Sequence, residues 1–445
     1  QDMSYENPLL LVGEVYVDFT LPSAKTQSKL RLGGVVHAAR GLWSIDAPFA
    51  VAAVCPSYLV DQVRAYLEEL GCTEFIWLAE VVGAPNVIAI GDPTELADQA
   101  YEDLLRAEKT VRILGGPISL KKFKNCLIFP GKYDLAIVRN LLPKSVQASF
   151  DIAYDLPDLD LLSPFSGNVA ALITSTSSLM FKEKASEEVS GLLEGLRNLS
   201  SQAVLLKENR GGSRVFDLSC EGADEVPANL GDTVNSVGVG DVYSAVFVSL
   251  LDLGVIEAAW KAARAATCYA QTTYPDDFKR DVMRSLALTV DQMRGLGGTV
   301  LPWHARKDFQ VYFAAPDFSY VDRTHIEEAL EALEYHNFRV RRPVQENGEL
   351  PPQSSIEEMA AIYRGDTDLL EACDVVFALP LERDPGTLVE IGFALDMRKP
   401  VVTYDPLKEN TNTMVMGGST IYSEIFDTCL NGLFETMSKL RATSK

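Results

Sequence analysis

Two stretches of this chain combine residue types and spacings that can do chemistry. The first is DVVFALPLERDPGTLVEIGFALDMRKPVVTY, which begins at Asp374. A strand-like apolar run ends at a loop, Pro-Gly marks a turn, and Thr387 can cap the helix that follows. Glu390 then falls in the first turn of that helix, among Leu388, Val389, Ile391, Phe393 and Ala394. A carboxylate on an apolar face is costly to bury unless it is hydrogen-bonded or used. A helix N-terminus favours its ionised form, which is what a nucleophile or an electrostatic stabiliser requires. The plainer alternative is a capping or solvated glutamate. The second stretch is NSVGVGDVYSAVFVSLL, where Gly238, Gly240 and Asp241 form a Gly-x-Gly-Asp turn before an apolar helix. Such a turn offers free N–H groups to an anion and sets one carboxylate beside it. Its plainer alternative is a tight turn ahead of a core helix.

The elements that must position these groups follow from periodicity. PLLLVGEVYVD is an apolar run ending in an acid, and it reads as a buried strand opening an α/β domain. KLRLGG leads into a helical VVHAARGLWSI, and AVAAV, DLAIVRNLL, AALITS and AVLLKE read as further buried strands. Helical patterns such as DQVRAYLEEL and SEEVSGLLEGLRNL lie between them. Alternation of this kind predicts a mostly parallel, doubly wound sheet. The Gly/Pro-rich GLGGTVLPWHARKD marks a boundary, giving domains at 1–304 and 305–445. The second domain restarts with the strand FQVYFAAP and the helix RTHIEEALEALEYH. A polar loop, PVQENGELPPQSS, leads to the helix IEEMAAIYRGDTDLLEAC and then to the strand that precedes Glu390. The fold class expected is therefore α/β in two domains, with a smaller α/β sandwich of about 140 residues at the end.

Over residues 309 to 445 the pattern resembles the nucleoside 2-deoxyribosyltransferases, whose domain is a flavodoxin-like α/β sandwich. The resemblance implies a role for each matching position. In VYFAAPDFS the tyrosine that orients the nucleophile is Tyr312, and Phe318 keeps a ring for stacking on the base, although Asp317 departs from an often aromatic position. In GDTDLLEACDVVFA the acid eight residues before Asp374 is Asp366, the proton donor to the base. In DPGTLVEIG the sugar-binding Asp384 stands six residues before the nucleophile Glu390. In NTMVMGG, Asn412 is the residue that reaches a neighbouring subunit's site, which implies a homo-oligomer. The implied substrates are deoxynucleosides and free nucleobases, with no cofactor for this domain. Glu390 would attack C1′ to form a glycosyl-enzyme ester while Asp366 serves the leaving base. The two carboxyls would need environments that push their pKa values apart. A related branch that hydrolyses 5′-monophosphates tends to carry Ser at the positions of Asp384 and Asn412. A 5′-phosphate would be repelled by Asp384.

Residues 1 to 300 more loosely resemble the ribokinase (PfkB-type) kinases. The resemblance makes Asp241 the base that deprotonates a hydroxyl and Gly238 and Gly240 the phosphate-neutralising turn. Asp18 in VGEVYVD becomes a sugar contact, and Gly33 and Gly34 in LRLGG become the diglycine. ATP and Mg²⁺ are the implied ligands. Three departures weaken phosphoryl transfer. Ala38, beside His37, stands where an Asn follows the diglycine, Ser175 and Ser178 replace the Asn-x-x-Glu that organises Mg²⁺, and Asn235-Ser236 replace Asp-Thr. The chain is thus read as a glycosidic enzyme fused to a kinase-like domain. The alternatives are a kinase with an accessory domain, and a ligand-sensing regulator of a hydrolase.

Composition bounds these readings. The 445 residues carry a net charge of -22, which disfavours sequence-independent nucleic-acid binding. There is no apolar run long enough for a membrane span, and the opening residues lack a signal-type pattern, so a cytoplasmic location is expected. Seven scattered cysteines read as reduced thiols, and four histidines have no metal-ligand spacing.

Overall fold

In a computed structural model, residues 7–24, 26–185 and 188–445 are described. Contacts divide the chain into two compact units. One comprises Gln1–Thr94, Gln99–Asn229 and Thr233–Gly298; the other comprises Thr299–Lys445 with the short stretches Glu95–Asp98 and Leu230–Asp232.

The first unit is built on a 13-stranded sheet. Its centre is parallel. Leu9–Thr20 lies between Phe49–Cys55 and Asn125–Ile128, and the latter continues through Gln147–Asp151 and Val169–Ser175 to Ala203–Lys207. These strands are almost wholly buried, because helices cover a parallel sheet on both faces. Lys29–Gly34 folds back antiparallel on the first strand, which sets Gly33 opposite Tyr16 and Gly34 opposite Val15. The helices Val35–Ser44, Val239–Ser249 and Val255–Gln271 pack into the core through Val36, Leu42, Val246, Phe247 and Ala262. One expected strand is a helix: DLAIVRNLL forms Leu135–Leu141. Asp134 caps it by accepting the Ala136 N–H, and a short apolar run of good helix formers does not announce its period.

The second unit has a five-stranded sheet in the order Arg339–Arg341, Gln310–Ala314, Val375–Ala378, Val401–Tyr404, Ile421–Ser423. Every pair is parallel. In chain order this is 2-1-3-4-5, the flavodoxin-like arrangement. The three inner strands are buried throughout except at Gln310. Connections run in opposite directions from the first strand, so a crevice opens beyond the carboxyl ends of Gln310–Ala314 and Val375–Ala378. That is where such sheets bind ligands. The loop expected at PVQENGELPPQSS contains the short helix Pro343–Asn347, with Pro at its start.

Candidate functional site

Tyr312, Asp366 and Asp384 of the C-terminal motifs come together at Glu390. Tyr312 leaves the first strand fully buried, and its hydroxyl donates to Glu390 Oε1 at 2.7 Å. Glu390 is carried by the helix Pro385–Asp396. The cap of that helix is Asp384, not Thr387. Asp384 Oδ2 accepts both the Thr387 N–H and its hydroxyl at 2.8 Å, and Thr387 is buried beneath it. Proline at the first helical position puts the cap one residue earlier. Glu390 therefore sits in the second turn, away from the strongest field of the helix end. Burial is the dominant influence and pushes the Glu390 carboxyl up to about 8. The Tyr312 hydrogen bond opposes the rise, while Asp366 and Asp384 add to it.

Asp366 lies within the helix Ile356–Ala372, and Asn347 Nδ2 donates to its Oδ1 at 2.8 Å. Burial raises its pKa as well, and the Asn347 bond opposes that rise. Desolvation thus lifts both carboxyls, Glu390 to about 8 and Asp366 above its ordinary value. What distinguishes them is the donor each receives, a phenol for Glu390 and an amide for Asp366.

Around this pair, Phe318 is half-buried and stacks on Tyr320 with ring centroids 5.3 Å apart. Asp317, the departure from the aromatic pattern, has a buried carboxylate. It accepts from Arg342 through Nε at 2.8 Å and Nη2 at 2.9 Å, and from Arg323 Nη2 at 2.9 Å. Arg383 donates to the Glu409 carbonyl at 2.7 Å. Asn412 caps the helix Thr413–Gly418 by accepting the Met414 N–H at 2.8 Å, and it lies on an exposed stretch. Asn347 was missed in the sequence. Its segment reads as polar loop, and only the proline at 343 hinted at a helix there.

In the first unit, Asp18 is buried and bonded at 2.6 Å to His37 Nε2. His37 Nδ1 lies 2.6 Å from the Tyr269 hydroxyl and 3.2 Å from Arg40 Nη1. A ring nitrogen facing two donors accepts, so the imidazole is neutral with its proton on Nε2, directed at Asp18. Burial lowers the His37 pKa to about 4 despite Asp18, with Arg31 and Arg40 adding to the fall. Gly238 has φ 80°, and a Cβ there would lie 2.2 Å from the His37 ring, so only glycine fits the turn. Asp241 is half-buried in the first turn of Val239–Ser249. Burial holds its pKa well above the usual carboxylate range, Asp151 and Asp18 contribute, and Lys207 opposes. The Lys207 ammonium donates at 3.1 Å to Asp151 Oδ2, to the Gly240 carbonyl and to Ser244 Oγ. Ser178 caps the helix Leu179–Lys184, and Ser175 Oγ pairs with Ser177 Oγ at 2.8 Å. Among the described residues no group of three or more His, Cys, Asp or Glu could hold a metal ion. No helix among them is long and apolar enough to cross a membrane.

Residues 311–432 match the model of the family described as nucleoside 2-deoxyribosyltransferase, so the chain carries a domain of that family. Among solved structures, a ribokinase from Giardia lamblia is similar to 63% of this chain and 98% of its own, at 16% identity and a TM-score of 0.47. A fructokinase with bound ATP from Xylella fastidiosa gives 63% and 98%, at 12% identity and 0.47. A nucleoside kinase from Burkholderia thailandensis in complex with inosine gives 63% and 97%, at 12% identity and 0.48. No curated protein matches the chain.

Proposed function

We propose that the deoxyribosyltransferase-family domain cleaves or exchanges the N-glycosidic bond of 2′-deoxynucleosides through a glycosyl-enzyme ester on Glu390. The observation that carries this reading is the Tyr312–Glu390 bond of 2.7 Å at the crevice of a 2-1-3-4-5 sheet, with Asp366 near enough to raise the Glu390 pKa. The ionised Glu390 attacks C1′. The C1′–N bond breaks with its electron pair going to the base, and Asp366 supplies the proton that the base requires. A free nucleobase or water then takes the sugar from the ester, and Asp366 recovers the proton. Tyr312 keeps Glu390 oriented and favours its anion. Asp384 and Asn412 serve the sugar. Asn412 does so in a second copy of the chain, and the exposed Met414, Met416 and Val389 supply an apolar surface for that copy to cover. The test is to incubate wild-type and Glu390→Ala protein with a deoxynucleoside and a second free base and to resolve the products by chromatography. Glu390→Ala should release and exchange no base while melting as wild type does. A folded variant with near wild-type exchange would sink the reading.

For the first unit, the observed site favours ligand binding over phosphoryl transfer. The acid implied to hold a sugar, Asp18, is engaged by His37. The Gly238–Gly240 turn, with Lys207 behind Gly240, suits the phosphates of a nucleotide such as ATP. Mg²⁺ fits less well, because Asp151 is already neutralised by Lys207 and the positions implied to organise the metal are the internally bonded Ser175 and Ser178. We therefore read this unit as a ligand-sensing partner of the glycosidic domain.

A further inference from the structure

Asp366 can serve a leaving base only if its proton sits on the oxygen that faces that base. Asn347 decides between the two oxygens. Its Nδ2 donates to Oδ1 at 2.8 Å, and an oxygen that accepts an N–H bond does not also carry the acid proton toward that donor. Asn347 is itself tightly placed. It ends the short helix Pro343–Asn347, whose leading residue Arg342 forks onto the buried Asp317 through two bonds of 2.8 and 2.9 Å. Arg323 joins that clamp and also donates to the Phe318 carbonyl at 3.1 Å, tying the short helix to the loop that follows the first strand. On the other side, a Cβ at Gly365 would lie 3.1 Å from the Asn347 amide, so glycine beside Asp366 makes room for this contact. The charged or titratable groups that bear on the site are Glu390 and Asp384 at the helix Pro385–Asp396, Tyr312 from the first strand and Cys373 after the helix of Asp366.

We propose that Asn347 is a positioning residue, anchored by the Asp317–Arg342 fork, that holds Oδ1 of Asp366 and so places its acid proton on Oδ2 for delivery to the leaving base. This rests on the reading of Glu390 as nucleophile. When the C1′–N bond breaks, the electron pair goes to the base nitrogen system, the proton leaves Oδ2 for the base, and Glu390 forms the C1′–O bond. Asp366 is left as a carboxylate whose Oδ1 keeps the amide bond. Without Asn347 the carboxyl rotates and its proton is shared between two orientations.

The experiment compares two substrates in the full chain. 2′-Deoxyadenosine needs a proton to leave, whereas 7-methyl-2′-deoxyguanosine already carries a positive base and leaves neutral without one. Asn347→Ala should lower kcat for deoxyadenosine about 10- to 100-fold, a part of the ~10²–10⁴ that a general acid supplies. KM should change less than about threefold, and kcat for the methylated substrate should also stay within about threefold of wild type. Asn347→Leu, which keeps nearly the same shape and removes the donor without adding a charge beside Asp366, should show the same split and guards against a folding defect in the alanine variant. Equal losses on both substrates would assign Asn347 a merely structural role and overturn the proposal, as would no loss on either. Glu390→Ala should be silent on both substrates. If it retains either activity, the nucleophile reading falls first, and that outcome is seen without any Asn347 variant.

Discussion

Tyr312→Phe removes one hydroxyl from the site and leaves the packing of the buried ring in place. That hydroxyl donates to Glu390 at 2.7 Å and is the one influence that pulls the Glu390 pKa down from its raised position near 8. A hydrogen bond to a charged group contributes about 1.5–3 kcal/mol. With 1.36 kcal/mol per pKa unit, its loss should move the Glu390 titration upward by about one to two pH units. The sign follows from the role. On the proposed reading Glu390 attacks as its anion, so a higher pKa leaves less of it active at neutral pH. A group titrating near 8 is about one-tenth ionised at pH 7, and after the substitution about one-hundredth to one-thousandth is. We therefore expect kcat/KM for a deoxynucleoside at pH 7 to fall about 10- to 100-fold, with the melting temperature nearly unchanged. The assay is base release followed by chromatography, paired with carboxyl ¹³C NMR of Glu390 across pH 5 to 10. A fall of less than threefold, with the Glu390 titration still near 8, would refute the claim that Tyr312 favours the anion.

Two further outcomes follow from the sites. Asp384 would face a 5′-phosphate carrying close to two negative charges, at about 1–4 kcal/mol of repulsion per charge near 4 Å, and Arg383 is turned to the Glu409 carbonyl. Deoxyadenosine should therefore be processed at least tenfold more efficiently than its 5′-monophosphate, and comparable kcat/KM values would move the domain to the monophosphate-hydrolase branch. The first unit should turn over no ATP with sugars or nucleosides as acceptors. Phosphorylated product that disappears in Asp241→Asn, by a factor of about 10² or more, would instead restore the kinase reading.

The amount legible in the sequence differs from residue to residue for physical reasons. Glu390 stood out because a charge interrupts an apolar helix face, and that signal is local. Its turn was misplaced because Thr387 and Asp384 are both good caps, and Pro385 rather than residue type decides between them. DLAIVRNLL reads equally as strand or helix, since its apolar run is too short to display a period. The Asn347–Asp366 bond spans 19 residues and joins two different helices, so nothing local to either residue announces it. The same holds for His37, whose bond joins it to Asp18, the acid that the kinase resemblance implied would meet a sugar, on a different element of the fold.

The strand order of the second unit also bears on how the domain is made. Val311 to Ala314 pair with Val375 to Ala378, so the central ladder joins segments separated by some sixty residues of chain. Sheets with such distant partners form slowly, because the intervening chain must be closed before any pairing stabilises it. During synthesis the strand bearing Tyr312 emerges well before its inner neighbour, and Glu390 emerges later still. A nascent chain stopped short of residue 378 therefore exposes an unpaired, strongly apolar edge, the kind of surface that chaperones hold and that aggregates recruit.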